Sequence, residues 1–291
     1  MSLSYVLMTS ARNESKYIEG TLKSVVSQEI LPQKWVVISD GSTDGTDEII
    51  QKYANQYSFI QYVRAEPNLE RNFASKVFAL QIALNIFKNE SYDIIGNLDA
   101  DITFKSNYFV EVLKRFENDP QLGVAGGVAY EEHGGKVVPL EYSFDMNVLG
   151  ANQNFRKTCW EQISGYRALL RGGEDALADL MARMYEWKVR SFPELQLMHH
   201  RPMGVGEGRL LKAKYGLGRL DYSFGYHPLY EIAKCISRLK EPPFVTGSMA
   251  RLLGYSIAAL KRESLAIPKE AAMFLRKEQL QRLKIVSNNK S

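Results

Sequence analysis

The sequence predicts an α/β protein with a doubly wound sheet followed by a helical extension. Short β-rich runs alternate with helix-length stretches through the first hundred residues, which is the order of parallel strand–helix–strand units. From Leu122 the chain becomes Gly-rich and strand-like, so we expect the sheet to become mixed. From about residue 204 the apolar spacing is mostly that of helices.

Four apolar runs of the first hundred residues predict strands, and each precedes a helix-length stretch. The runs are Tyr5–Met8, Trp35–Ser39, Ile60–Arg64 and Ile94–Leu98. Between the first two, Ile18, Leu22 and Val25 recur at helical spacing and predict a core-facing helix. Thr46 is the predicted N-cap of the second helix, because threonine accepts from free backbone N–H groups there.

The second part of the sheet is predicted from Leu122–Tyr130, from Val137–Tyr142 and from the run that ends at His199-His200. Ala176–Trp187 predicts a helix between them. The segment 201–209 is rich in glycine, and its backbone freedom predicts a mobile loop that acts as a lid or a linker.

In the tail, Phe244–Leu260 and Lys269–Val286 show the clearest helical periodicity. Phe244–Leu260 is too short to span a bilayer, and Arg251 in its middle makes it too polar. The remaining alternatives are a buried helix and an interfacial one. We expect burial, because helices with one apolar face usually pack on a core.

Composition limits the class of protein. The chain has 291 residues with 45% apolar content and only two cysteines, which favours a globular protein in a reducing cytoplasmic setting. Residues 1–200 carry 20 Lys+Arg and 26 Asp+Glu, while 201–291 carry 17 and 7. The acidic front argues against nucleic acid as a partner. The basic back suits either solvent or peripheral contact with the inner face of an anionic cell membrane.

Acidic residues follow the strand-like runs. Asp40 ends the second run, Asp99 and Asp101 follow the fourth, and Glu174-Asp175 precede a helix. The carboxyl ends of strands line the ligand crevice of an open α/β sheet, so we expect these acids to converge. Clustered carboxylates repel one another unless a cation lies between them.

Asp99 and Asp101 have the spacing of two metal-binding carboxylates at a strand end. Hard oxygen ligands suit Mg²⁺ or Mn²⁺, which bridge the phosphates of a nucleotide. The alternative is an Asx-turn. Asp40 and the small residues around Ser42 could hold a base or a ribose, and the alternative is a capped turn.

The other candidates lie beside these acids. Thr9–Glu14 could flank the same base and ribose, and Arg71 or Lys76 could reach phosphate from a helix start. Asp175 is a candidate general base, although an acid at a helix N-terminus also stabilises the helix. Either His199 or His200 could complete a metal shell with Asp101, and His200 is the predicted ligand.

With these motifs in place, residues 3 to about 200 resemble a family 2 glycosyltransferase of the GT-A fold, the inverting kind that uses nucleotide sugars. The resemblance rests on the ordered set Thr9–Glu14, Asp40–Thr46, Asp99-Ala100-Asp101 and Glu174-Asp175. It implies a Rossmann-like mixed central sheet flanked by helices, with a helical C-terminal extension. Residues Gly225–Leu229 and Leu275–Gln279 are similar to extensions from bacterial polysaccharide assembly.

The resemblance also implies roles for individual residues. Asp40 would hold the base, Asp99 the ribose or the metal, Asp101 and His200 the metal, and Asp175 would deprotonate the acceptor. The implied donor-binding set is Thr9, Ala11, Arg12, Asn13, Glu14, Asp40, Ser42, Lys76, Asp99, Ala100 and Asp101. The donor would be a UDP- or GDP-linked sugar, and the acceptor a sugar or a lipid-linked sugar. Processive members carry a Gln-x-x-Arg-Trp motif that this sequence lacks, which implies transfer of a single sugar by a hexosyltransferase.

The predicted organisation is a glycosyltransferase domain over 1–203 and a helical extension over 204–291. Within the first, nucleotide-sugar binding is expected over about 1–102 and acceptor binding over about 103–203. Two other functions remain open. A nucleotidyltransferase also uses an acidic α/β sheet with Mg²⁺, but Thr9–Glu14 lacks the glycines of a triphosphate loop. A non-catalytic module that binds nucleotide or lipid would need no Asp175.

Overall fold

The strands and helices follow the predicted alternation. The structure is a computed structural model, and it describes residues 3–66, 74–133, 135–140, 146–201 and 207–284. The strands are β1 (Tyr5–Ala11), β2 (Lys34–Asp40), β3 (Ile60–Ala65), β4 (Ile94–Leu98), β5 (Ile102–Phe104), β6 (Leu122–His133), β7 (Lys136–Pro139), β8 (Asn152–Arg156) and β9 (Lys188–His199). The helices are α1 (Ile18–Val26), α2 (Thr46–Gln56), α3 (Ala74–Phe87), α4 (Tyr108–Asn118), α5 (Lys157–Ile163), α6 (Glu174–Met184), α7 (Glu207–Ser223), α8 (Pro228–Ser237), α9 (Thr246–Leu260) and α10 (Lys269–Arg282).

Within the described residues, one mixed sheet has the strand order β3-β2-β1-β4-β8-β6-β9-β5, and β7 pairs with β6. Strands β1 to β4 are parallel, and β8 runs antiparallel between β4 and β6. Strand β9 is parallel to β6, so it also runs in the direction of β4. The predicted fold class, a mixed central sheet flanked by helices, is confirmed.

Both faces of the sheet are buried. Tyr5 and Leu7 of β1 belong to the core cluster that α1, α2 and α4 cover, and Tyr5 stacks on Phe109 at 4.6 Å between ring centroids. The alternate residues Val6 and Met8 are also fully buried, and α3 packs against β1 and β2. This explains why the strands read as continuous apolar runs.

Several boundaries differ from the sequence prediction. Thr46 is the first residue of α2 and not its cap, because the carboxylate of Asp44 accepts from the Thr46 N–H at 3.2 Å. Helix α6 begins two residues earlier than predicted, at Glu174, after Gly173 in the left-handed conformation. Strand β7 ends at Pro139, and the rest of the predicted strand lies mostly outside the described residues. The predicted mobile segment 201–209 also falls mainly outside them, except that α7 already begins at Glu207.

The chain separates into two compact units, residues 1–202 and residues 203–291. The functional assignment of the two parts stays a prediction. In the second unit α7 and α9 pack closely, and α8 packs on α9. No helix in the described ranges has both the length and the apolar composition that crossing a membrane requires.

Candidate active site

The sequence-predicted acids lie at one edge of the sheet. Because β1, β2, β4 and β9 run in the same direction, their carboxyl ends at Ala11, Asp40, Leu98 and His199 face the same side. The loops that carry the candidate residues begin at these ends. The arrangement is the ligand crevice expected of an open α/β sheet.

The loops after β1 and β2 are joined by hydrogen bonds. Asn13 has a positive φ of 55°, and its side-chain oxygen accepts from the Thr43 N–H at 2.9 Å. In return, the Asn13 N–H donates to the Ser42 hydroxyl at 3.1 Å, and the Glu14 N–H donates to the Thr46 hydroxyl at 2.8 Å. Asn13 therefore holds the second loop through both its side chain and its main-chain N–H.

Asp40 and Arg12 form an ion pair where these two loops meet. The Arg12 Nη1 lies 3.2 Å from Asp40 Oδ2, and Asp40 is 7% exposed. A carboxylate next to a guanidinium presents an acceptor and donors side by side. Such a pair matches the ring N–H and the carbonyl groups of a nucleobase.

Three residues of the predicted donor-binding set point into the core. The Thr9 hydroxyl accepts from the indole N–H of Trp35 at 3.0 Å, and the side chains of Ala11 and Ala100 are buried. Only the main chain of these residues could face a ligand. The polar members of the set, Arg12 to Glu14 with Asp40 and Ser42, line the joined loops.

Lys76 of α3 connects the acids of two separate loops. Its Nζ lies 2.6 Å from Asp99 Oδ1. Burial lowers the pKa of Lys76, but the negative charges of Asp99 and Glu174 outweigh it and leave the pKa above its ordinary value. Asp175 contributes in the same direction. Lys76 therefore pairs with Asp99, and the charges of Glu174 and Asp175 act on the same ammonium group.

Asp101 is 7% exposed and lies among both acids and cations. Its Oδ2 is 3.5 Å from His199 Nε2 and 3.5 Å from Arg201 Nε. Burial raises the pKa of Asp101, and the charge of Asp99 raises it further. Folding therefore disfavours the ionised carboxylate at this position.

Glu14 extends the same acidic group. It pairs with Arg201, yet burial raises the pKa of Glu14 to about 7, and the charges of Asp101 and Asp99 add to the rise. Its Oε2 is buried and has no hydrogen-bond partner among the described residues. The edge of the sheet carries more negative charge than its own cations neutralise.

The two consecutive histidines have different surroundings. The histidine beside the Asp101 carboxylate is His199, whose Nδ1 lies 2.7 Å from the buried Glu131 Oε1. His200 instead lies with Nε2 2.7 Å from the Thr103 hydroxyl, and only its main-chain N–H contacts Asp101. Metal binding by His200 stays a prediction. The sequence left His199 open as the alternative, and it did not indicate Glu131.

Asp175 lies in the first turn of α6, after Gly172 and Gly173, which have φ of 78° and 93°. Its Oδ2 accepts from the Gly150 N–H at 3.1 Å. A Cβ on Gly150 would lie 2.7 Å from that oxygen and 3.1 Å from the Asp175 Cγ. The Asp175 carboxylate therefore packs directly against Gly150, and a side chain at position 150 would collide with it.

A buried polar network lies behind Asp175. The Gln153 side-chain N–H donates to Asp179 Oδ1 at 2.9 Å and to the Asp175 main-chain oxygen at 3.3 Å. The Tyr166 hydroxyl donates to Gln153 Oε1 at 2.6 Å. The sequence feature that could have indicated this network is the run of three amide side chains, Asn152 to Asn154. Tyr166 also makes edge-to-face contacts with Phe155 and Trp160, and all three rings are buried, so this aromatic group belongs to the core.

The donor set at this edge fits a hard divalent cation. Carboxylates exceed cations, and the pKa values of Asp101 and Glu14 are raised, so a bound cation would relieve repulsion that the protein leaves in place. Within the described ranges, no three His, Cys, Asp or Glu residues already stand in a ligand group. The fit rests on ligand chemistry and charge.

Curated relatives include a polysaccharide synthase. Poly-beta-1,6-N-acetyl-D-glucosamine synthase of Staphylococcus epidermidis is 29% identical over 172 residues, which are 58% of this chain and 39% of that protein. The protein of the same name from Staphylococcus aureus (strain COL) is 33% identical over 115 residues, 40% of this chain and 26% of that one. The matched part of the chain thus spans well under half the length of these relatives.

Solved structures share the fold. The mannosyltransferase PcManGT from Pyrobaculum calidifontis, solved with GDP-Man and Mn²⁺, has a TM-score of 0.59 at 17% identity over 97% of this chain and 81% of that one. TarS 1–349 of S. aureus, solved with UDP-GlcNAc, has a TM-score of 0.52 at 14% identity over 96% and 80%. Both structural similarities show that the chain has the GT-A fold.

The family profile described as Glycosyl transferase family 2 matches residues 7–173, which is more than half of the chain. That range includes the joined loops, Lys76, Asp99 and Asp101, and it ends directly before α6. The chain belongs to glycosyltransferase family 2.

Proposed function

We propose that this chain transfers one sugar, with inversion, from a UDP- or GDP-linked donor to a hydroxyl group of a sugar or a lipid-linked sugar. The observation that carries the proposal is the Lys76–Asp99 ion pair at the ligand edge of the sheet, where the charges of Glu174 and Asp175 act on the same ammonium group. Family membership supports sugar transfer. The names of the staphylococcal relatives support a place in bacterial polysaccharide or glycolipid assembly.

The nucleoside would lie over the joined loops after β1 and β2. Asp40 would accept from a ring N–H of the base, and Arg12, which holds Asp40 in place, would face a carbonyl. Because the hydrogen bonds from Asn13 and Glu14 fix both loops, this part of the site is ordered before a donor binds. Binding then costs little loop-ordering entropy.

The diphosphate would lie over Lys76 and Asp101. The ammonium group of Lys76 would contact phosphate oxygens, and the carboxylates of Asp99 and Asp101, with His200, are the proposed ligands of Mg²⁺ or Mn²⁺. When bound, the metal would supply positive charge that stabilises the departing diphosphate. The mannosyltransferase solved with GDP-Man and Mn²⁺ supports this choice of ion.

Asp175 would be the general base. It would take the proton from the acceptor hydroxyl as that oxygen forms a bond to the anomeric carbon, while the bond from that carbon to the diphosphate oxygen breaks. Attack from the side opposite the leaving group inverts the configuration. The Gly150 N–H and the first turn of α6 hold the carboxylate in position.

Donor binding can be tested without knowing the acceptor. Thermal shift with UDP, GDP and ADP and their sugar conjugates, each with and without Mn²⁺, should show stabilisation by one uridine or guanosine series. Mn²⁺ should increase that stabilisation. No stabilisation by any nucleotide diphosphate would contradict the proposal.

The chemical step is tested with Asp175→Asn and with Asp119→Asn as a control away from the site. Asp175→Asn should bind the donor as before and lose transfer by about 10²–10⁴-fold, the range that general-base catalysis contributes. Unchanged turnover would exclude Asp175 as the base. Release of pyrophosphate would instead indicate a nucleotidyltransferase, and NMR of the product anomer would show whether the configuration is inverted.

A further inference from the structure

The helical unit 203–291 exposes a group of large apolar side chains on α8, on α9 and on the segment between them. Phe244 is 65% exposed, Met249 63% and Leu260 83%. We call this group the apolar surface, and its members are Leu229, Ile232, Ile236, Leu239, Phe244, Val245, Met249, Leu253 and Leu260. Its members cluster within about 30 consecutive residues, whereas singly scattered surface apolar residues need no explanation.

Helix α9 has a packed face and an unpacked face. Its packed face includes Gly254, where a Cβ would lie 2.1 Å from the Tyr215 main-chain oxygen of α7. Val245, Met249 and Leu253 recur every four residues and therefore lie on the opposite side. The sequence prediction that this helix is buried holds for one face only.

Buried ion pairs fix the orientation of α9. Arg251 is 5% exposed, and its Nε lies 2.8 Å from Asp221 Oδ2 of α7 and 3.4 Å from Glu231 Oε1 of α8. Rotating α9 to bury Met249 and Leu253 would pull Arg251 out of these pairs and leave buried carboxylates unpaired. The apolar side of α9 must therefore stay outward.

The segment between α8 and α9 brings the two helices into one surface. The Val245 N–H donates to the Leu239 main-chain oxygen at 3.1 Å, so exposed Leu239, just after α8, lies close to exposed Val245, just before α9. Phe244 projects from the same segment. The exposed side chains at the end of α8 and the start of α9 are thus continuous through this turn.

The charge around the apolar surface selects its partner. Residues 203–291 carry 16 Lys+Arg and 7 Asp+Glu, a difference of +9. Exposed Lys240 follows the end of α8, and exposed Lys261 and Arg262 follow α9. A second copy of this unit would bring like charges together, whereas anionic lipid headgroups complement them.

We propose that the apolar surface docks the chain peripherally on an anionic lipid leaflet, with α9 lying in the plane of the interface. A 15-residue helix with one apolar face and cations at its end has the form of an interfacial helix and not of a spanning one. The apolar side chains enter the region between headgroups and acyl chains. The lysine and arginine side chains remain at headgroup level.

The test is co-flotation of the full chain with vesicles of phosphatidylcholine alone or with added phosphatidylglycerol. The chain should float with the anionic vesicles, and high salt should weaken this binding. Met249→Ser and Leu253→Ser should each lower the partition coefficient by about ten-fold, because each removes apolar area from the contact. Both side chains are largely exposed, so no core packing is lost.

The controls distinguish binding through the apolar surface from nonspecific adsorption to vesicles. Leu170→Ser removes a side chain that is 74% exposed in the other unit and should leave flotation unchanged. Lys240→Glu with Lys261→Glu should lower binding to anionic vesicles only. These variants keep every apolar contact, so they test the charge independently.

Three results would overturn the proposal. They are absence of flotation with anionic vesicles, equal flotation of the Met249→Ser chain, and a dimer in light scattering that Leu253→Ser dissociates while flotation is absent. The last would assign the surface to a second copy. Transfer to a soluble acceptor is measured separately, so failure of the proposed function would not be mistaken for failure of docking.

Discussion

Two clusters of charged side chains differ in their balance. Among the described residues at the edge of the sheet, beyond the Arg12–Asp40 pair, five carboxylates face two permanent cations, and the residues are Glu14, Asp99, Asp101, Glu174 and Asp175 with Lys76 and Arg201. In the helical unit two acids face two bases, and these are Asp221 and Glu231 with Lys234 and Arg251. The clusters also differ in burial, because the side chains of Asp99 and Arg201 are 31% and 47% exposed while that of Arg251 is 7% exposed.

The difference separates a binding site from a structural link. Unpaired buried charge costs folding free energy, so a surplus persists where a ligand supplies the missing charge. The balanced cluster joins α7, α8 and α9, because each of its acids has a basic partner. The charge sum distinguishes the two clusters, since a raised carboxyl pKa and a buried oxygen without a hydrogen-bond partner among the described residues occur in both, at Glu14 and at Glu231.

The largest expected effect is on stability when the balanced cluster is broken. Arg251→Met should lower the free energy of unfolding by about 3–5 kcal/mol, because it leaves Asp221 and Glu231 buried without their main partner. Urea denaturation of the variant and of the exposed control Arg262→Met measures the difference. Equal stability of the two variants would contradict a structural role for the balanced cluster.

Removing a carboxylate from the acidic edge of the sheet should have the opposite effect, a loss of activity without a loss of stability. Asp101→Asn should lower transfer on the order of 10³-fold, since metal charge stabilisation is worth several kcal/mol. Its melting temperature should not fall, because an ionised Asp101 is already disfavoured by burial and by Asp99. Steady-state kinetics and thermal melts test both halves. A marked loss of stability in the Asp101→Asn variant with full activity would contradict the proposed difference between the two clusters.

The position of Asp175 can be disturbed without changing a charge. Gly150→Ala places a Cβ 2.7 Å from Asp175 Oδ2, so the carboxylate must move. We expect kcat to fall by about 100-fold, with the KM for the donor nearly unchanged, because small misplacement of a catalytic group is costly. Gly216→Ala, which meets no atom within 4 Å, is the matched control. A raised KM with normal kcat would place Gly150 in donor binding instead.

The smallest expected effect is on pH dependence. Burial, with the charge of Asp221, raises the pKa of Glu231 from 4.5 to about 7. Between these values the folded chain holds a proton that the unfolded chain lacks, so stability falls as pH rises through that window. Relative to the native chain, Glu231→Gln should gain about 1–2 kcal/mol between about pH 5 and about pH 8. Urea titrations at both pH values test this, and a constant difference would contradict it.

The sequence predicted β1 to β4, β6 and β7 to within three residues at each end, because apolar runs and the polar residues that follow them are local signals. It did not predict β5 or β8. The acids after β2 and β4 could be assigned to one edge for the same reason, since parallel order fixes which ends meet. The positive φ of Asn13 could not be predicted. It depends on a hydrogen bond to Thr43, thirty residues away.

Contacts that are distant in sequence explain the other misses. The pairing of β5 with β9 places Ile102 opposite His199, and Asp101 lies just before β5, where strand alternation no longer fixes the direction of a side chain. The strand pattern therefore could not show which histidine reaches Asp101. Gly150 and Gln153 act on Asp175 across contacts more than twenty residues apart in sequence. Periodicity also could not separate the two faces of α9, because both are rich in small or apolar residues.

The joined loops after β1 and β2 have a consequence for engineering donor preference. The Asn13 carboxamide and the Ser42 hydroxyl each hold the neighbouring loop's main chain. Replacing one loop alone would leave main-chain N–H groups of the remaining loop without their side-chain hydrogen-bond acceptors. A change of nucleotide base would therefore have to be grafted as a single cassette that carries residues 12–17 and 41–46 together.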